Sequence, residues 1–131
     1  MKYMLLLIGD ETQYQDRSDE ERAATMQAWN EYTQALVEAG VFVSGEGLQA
    51  RTTATTLRVE AGERVLTDGP FADTKEQVGG FYVIDCRDLD EAIDWAARTP
   101  SAAGGWLTEI RPVLDYEAAG GLDPQRQEAA S

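Results

Sequence analysis

The sequence predicts an α+β domain in which strands and helices follow a β-α-β-β-α-β order with one β-hairpin inserted. Three observations carry this. Apolar runs of strand length recur at residues 2–9, 41–48, 78–86 and 106–114. Two capping boxes, Ser18 with Glu21 and Asp88 with Glu91, each open a stretch of helical periodicity. Between the second and third apolar runs lie two β-branched segments separated by Ala61-Gly62. That order is the ferredoxin-like split βαβ plan.

Residues 2–9 (KYMLLLIG) are apolar on both alternating faces, which suits a strand covered on both sides. The first helix runs over 18–39, with Met26, Trp29, Thr33, Leu36 and Val37 as its apolar stripe and Gly40 as its stop. The second strand ends in the turn-prone Gly45-Glu46-Gly47. Residues 53–60 and 63–67 form the hairpin, and the loop Asp68 to Glu76 follows it. In the strand over 78–86, Phe81 and Val83 share one face while Tyr82, Ile84 and Cys86 share the other. Leu89, Ala92, Ile93 and Ala96 mark the second helix, which Pro100 closes, and residues 106–114 supply the last strand. This gives one domain over 1–114 and a loosely held tail over 115–131. Two helices cover one sheet face only. The apolar second face, with Met4, Leu6 and Ile8, therefore calls for a sheet-to-sheet homodimer.

Composition narrows the function. The 131 residues hold 11 Lys+Arg against 24 Asp+Glu, a formal net charge of −13. Such a balance argues against nucleic acid and anionic membrane surfaces, which reward clustered basic residues. His is absent and Cys86 is the lone cysteine, so His-based acid–base catalysis, His/Cys metal sites and internal disulfides are all excluded. No cofactor or metal is expected. The apolar run near the start is too short to span a bilayer and is followed by Asp10-Glu11, so a cytoplasmic protein is expected.

The segment Asp68-Gly69-Pro70-Phe71-Ala72-Asp73-Thr74-Lys75-Glu76, followed by Gly79-Gly80-Phe81-Tyr82, resembles the signature of the DGPF domain proteins, a branch of the YCII-related family. Lys2-Tyr3-Met4-Leu5-Leu6, Gly45-Glu46-Gly47-Leu48, Asp88-Leu89-Asp90-Glu91-Ala92 and Glu109-Ile110-Arg111-Pro112 extend the resemblance in the same order across about residues 1–114. It implies a ferredoxin-like protomer paired into a dimeric α/β barrel. In that family, enzymatic activity is suspected around a His–Asp pair, which a chain without His cannot form. DGPF proteins are often encoded beside extracytoplasmic-function sigma factors, so a non-catalytic regulatory module stands as the alternative to a small-molecule-binding protein or enzyme.

Asp68 and Glu46 are the candidate catalytic carboxylates. Pro70 and Gly69 put Asp68 at a sharp corner, where it either enters a cleft as a proton-transfer group or pins the loop by accepting backbone N–H bonds. Glu46 lies between two glycines, either beside a ligand or as a solvated turn acid. Arg58, Pro70, Phe71, Lys75, Glu76 and Tyr82 are the candidate ligand-binding residues. Lys75 either pairs with Glu76 or anchors a substrate carboxylate. Gly79-Gly80 inside a strand marks a bulge or close approach that opens a cleft floor beside Phe71 and Tyr82. Cys86, with no activating neighbour, reads as an inert buried thiol.

Overall fold

A computed structural model describes residues 1–126. The last residues of the expected tail, 127–131, lie outside the described residues. The elements are β1 (Lys2–Gly9), α1 (Asp19–Glu38), β2 (Phe42–Gly47), β3 (Thr55–Glu60), β4 (Glu63–Asp68), β5 (Gln77–Asp85), α2 (Leu89–Ala97) and β6 (Leu107–Pro112), with short 3-10 turns at Glu11–Tyr14, Arg51–Thr53 and Ala102–Gly104. The main sheet has the order β2-β5-β1-β6 and is antiparallel throughout, so the chain has the ferredoxin-like α+β fold that the sequence predicts. Strands β3 and β4 stand apart as a separate two-stranded ribbon.

Both N-caps form, while the reciprocal Glu bonds go to the Ser18 hydroxyl and to the Arg87 N–H instead of the N-cap N–H groups. The Ser18 hydroxyl accepts the Glu21 N–H at 3.1 Å, and the Asp88 carboxylate accepts the Glu91 N–H at 2.9 Å. Glu91 in turn accepts the Arg87 N–H at 3.1 Å, and this bond above all holds its carboxyl below the usual carboxylate range. The core lies between the helices and one sheet face: Tyr3, Leu5 and Ile84 from the sheet meet Tyr32 and Leu36 of α1 and Ala92, Trp95 and Ala96 of α2. The Tyr32 hydroxyl donates to the Trp95 carbonyl at 2.8 Å and thereby joins the two helices. Its burial drives the phenol's pKa well upward. Cys86 is buried with it, and desolvation raises its thiol pKa too.

The predicted helix stripes are partly displaced. Met26 and Val37 of α1, and Leu89 and Ile93 of α2, are exposed, while Tyr32 and Trp95 take the buried positions. The small Ala92 and Ala96 let α2 approach the sheet closely, so the wide rings of Tyr32 and Trp95 fill the junction between the helices. Thr53 lies in a 3-10 turn instead of the hairpin, and Trp106 precedes β6 instead of opening it.

On the opposite sheet face, Met4, Leu6 and Ile8 of β1 stand beside Phe81 and Val83 of β5, Glu109 and Arg111 of β6, and Ser44 and Glu46 of β2. The chain after β6 folds back over one end of this face. A cavity of about 530 Å³ there is bounded by Met4 and Val83 below and by Leu114, Tyr116 and Pro124 above. Leu6, Ile8 and Phe81 remain only half-buried. Among the described residues no helix is long and apolar enough to cross a membrane.

Candidate functional site

A cavity of about 490 Å³ opens on the helical side of the sheet, between α1 and strands β2, β5 and β1. Its floor is largely bare backbone: Gly45, Gly47, Gly79 and Gly80, with Leu7 beside them. The register between β1 and β5 shifts by one residue at Leu7/Ile8, which leaves Gly79 as a bulge. A Cβ on Gly79 would stand 2.8 Å from Trp106 Cζ3, one on Gly45 would stand 2.8 Å from Tyr82 Cδ1, and one on Gly80 would stand 2.8 Å from the Glu46 carbonyl. Gly9 lies so close under the Trp106 indole that no side chain fits there either. The glycines admit these rings and strands, and the cavity is the space left above them.

Aromatic rings form two walls. On one side Trp29 of α1 stacks on Tyr82, with ring centroids 6.1 Å apart and planes 19° apart, and Phe42 meets Tyr82 edge-on at 6.4 Å. The Tyr82 and Thr33 hydroxyls share a 2.7 Å hydrogen bond, which orients the ring. On the other side Tyr14 leans on Trp106 at 5.6 Å, and the Arg17 guanidinium caps the Tyr14 ring at 4.2 Å. Ser101 also lines the cavity. Among the described residues Ser101 Oγ and Trp106 Nε1 are buried without a hydrogen-bond partner, an arrangement that costs about 1–3 kcal/mol per group.

One carboxylate of the lining, Glu11, is neutralised. It accepts the Arg51 backbone N–H at 2.7 Å and pairs with Arg51 Nε at 3.7 Å. The Arg51 guanidinium also donates to the Thr74 carbonyl, which ties the Asp68–Glu76 loop to the cavity mouth. Beside it, hydrogen bonds from Thr12 hold the Asp10 carboxyl below its ordinary range, with smaller help from Arg51 and Lys75. Among the described residues no Lys or Arg lines the cavity.

Of the residues singled out by sequence, Tyr82 and Glu46 border this cavity. Strand alternation pairs Glu46 with Phe81 on the face away from the helices, while Gly45 and Gly47 turn to the cavity. Asp68, Phe71, Lys75, Glu76 and Arg58 are exposed on the ribbon and its loop, and Pro70 is half-buried there. Arg58 lies over the Phe71 ring at 5.8 Å and pairs loosely with Glu60 at 3.9 Å. Among the described residues, Lys75 and Glu76 form no ion pair and the Asp68 carboxylate accepts no hydrogen bond. The predicted glycine cleft is present beside Tyr82, but Phe71 is not part of it. Trp106, Trp29, Glu11 and Ser101 were not legible as site residues. Trp29 sat in a helical stripe that reads as core, and nothing in sequence spacing shows Gly9 and Gly79 meeting under one indole.

A model of the YCII-related domain matches residues 1–117. The chain belongs to the YCII-related family. It is 41% identical over 120 residues to an uncharacterised protein of Rhizobium meliloti (strain 1021), a match that covers 89% of this chain and 95% of that relative. The shared family therefore extends over the whole ferredoxin-like domain, including the inserted ribbon.

Proposed function

We propose that this YCII-related protein binds a small, uncharged, flat molecule in the cavity between α1 and the sheet. The observation that carries the reading is the aromatic-walled space of about 490 Å³ over a glycine floor, a size and lining suited to a small organic ligand. Charge sets the class: no described lining residue is Lys or Arg, Arg51 is already paired with Glu11, Arg17 lies on the Tyr14 ring, and the net charge is −13, so the cavity favours an uncharged ligand over an anion. Tyr82 is the wall residue that the reading retains from the sequence.

The open sheet face is proposed as the surface for a second copy. Leu6, Ile8 and Phe81 give it an apolar centre, and Glu109 and Arg111 stand side by side on β6, where a two-fold axis would set each opposite its counter-charge.

The cavity reading is tested with 2-acetylnaphthalene and its anionic counterpart 2-naphthoate, followed by quenching of tryptophan fluorescence. Saturable quenching by the ketone, at least tenfold weaker for the carboxylate, is expected. A Cβ at Gly47 meets nothing within 4 Å, so Gly47→Leu should fill the space without unfolding the chain and abolish the effect. If neither probe binds and Gly47→Leu behaves as wild type, the cavity is no ligand site. The regulatory, non-catalytic module is then the better reading.

A further inference from the structure

The β3–β4 ribbon has an apolar face that none of the described residues covers. Leu57 and Leu66 lie directly opposite each other, with Val59 beside them on the same face, and they are 53%, 67% and 66% exposed. A two-stranded ribbon without a packed face is marginal in water. Beyond its own ladder, its hydrogen bonds gather at its base, where the Gly69 N–H donates to the Ala54 carbonyl and the Thr56 hydroxyl to the Gly69 carbonyl. A partner required for the ribbon to hold its shape must be present whenever the chain is, and a second copy meets that condition.

Charge points the same way. Residues 57–66 contain Arg58 and Arg64 against Glu60 and Glu63, a net charge of zero on a chain of −13. An equally acidic copy meets least repulsion there, whereas a basic partner would be drawn to the acidic helices. Area adds a third argument. Four strands spaced about 4.8 Å apart and about 20–30 Å long give the open sheet face a footprint of about 450 Å². The chain after β6 already takes its Met4–Val83 end. Stable interfaces bury about 800 Å² per partner, and a ribbon face of about 200 Å² moves the total toward that figure.

We propose that the β3–β4 ribbon is a dimerisation arm whose Leu57, Val59 and Leu66 face packs on a second copy of the chain. This rests on the proposed pairing of open sheet faces and adds a second, separable contact to it.

The test compares Leu57→Glu/Leu66→Glu with Ile8→Glu on the sheet face. Sedimentation velocity from nanomolar to high micromolar concentration gives the dimer constant, and far-UV circular dichroism confirms folding. The arm variant should weaken dimerisation by about a hundredfold or more, since four leucines per dimer lose their burial. Hydrogen exchange of the Thr55–Glu60 amides should be slow in the wild-type dimer and fast in the arm variant. A wild type that stays monomeric throughout overturns both readings. A dimer broken by Ile8→Glu but untouched by the arm variant overturns the arm alone. One broken by the arm variant and untouched by Ile8→Glu keeps the arm and removes the sheet pairing.

Discussion

Strand pairs β1–β5 and β3–β4 share antiparallel geometry and a supply of aliphatic side chains, yet their leucines meet opposite surroundings. Leu5 of β1 is completely buried under α1 and α2, whereas Leu57 and Leu66 of the ribbon leave more than half of their surface in solvent. Local sequence makes the β3–β4 hairpin, whereas β1 and β5 pair across the whole of α1, β2 and the ribbon. Burial comes from elsewhere: β1 is the central partner of β5 and β6 and lies beneath two helices, while the ribbon is connected to the body chiefly through its base. A β-branched alternating pattern therefore specifies pairing and register without specifying what covers the pair.

The largest expected effect follows from that contrast. Leu5→Ala opens a hole in a core that cannot collapse easily and should cost about 2–5 kcal/mol in denaturant unfolding. Leu57→Ala, measured on the monomer at high dilution, should stay within about 0.5 kcal/mol. A large loss at Leu57 under those conditions would show that the ribbon has a partner within its own chain.

The glycine floor sharpens the comparison inside the body itself. Gly79→Ala places a methyl against the Trp106 ring, and relieving that contact should cost about 1–3 kcal/mol and move the indole into the cavity. Gly62, at the tip of the ribbon, has a φ of +80° but open space around it, so Ala there should cost only its backbone strain, about 1 kcal/mol. Trp106 fluorescence should change in the first variant and not in the second.

Tyr32 supplies an effect of about 1 kcal/mol and a pH signature. Its phenol is raised from the ordinary 10.0 by burial. The proton is thus held more tightly in the folded state than in the unfolded one, and the resulting stability is complete below pH 10 and lost as pH rises beyond it. Tyr32→Phe should lower the melting temperature at neutral pH by removing the bond to the Trp95 carbonyl, and should flatten the alkaline decline. An unchanged decline would assign it to other groups.

Most of the body was legible because its signals are local and mutually consistent. The two capping boxes fixed both helix starts, and alternation in β5 placed Tyr82 and Ile84 opposite Phe81 and Val83. Helix faces were less legible, since Tyr32 and Trp95 bury flat rings where the sequence offered Met26 and Ile93 as equally apolar choices. The cavity was half legible. Gly79-Gly80 and Tyr82 announced a cleft floor, but its second wall comes from Tyr14 and Trp106, which meet only through the tertiary fold.

The smallest expected effect lies at the corner where the ribbon ends. Gly69 there has a φ of +100°, its N–H donates to the Ala54 carbonyl at 2.7 Å, and its own carbonyl accepts the Thr56 hydroxyl at 2.8 Å. The corner is thus held by backbone and by Thr56, while the neighbouring Asp68 side chain is exposed. Asp68→Asn should therefore leave the stability unchanged within about 0.5 kcal/mol, and Gly69→Ala should cost about 1 kcal/mol or more by forcing a side chain into a left-handed conformation. If the carboxylate did pin the loop as a charged acceptor, Asp68→Asn would instead cost about 1.5–3 kcal/mol. Thermal melts of the two variants side by side separate a corner built from backbone from one built around a charge.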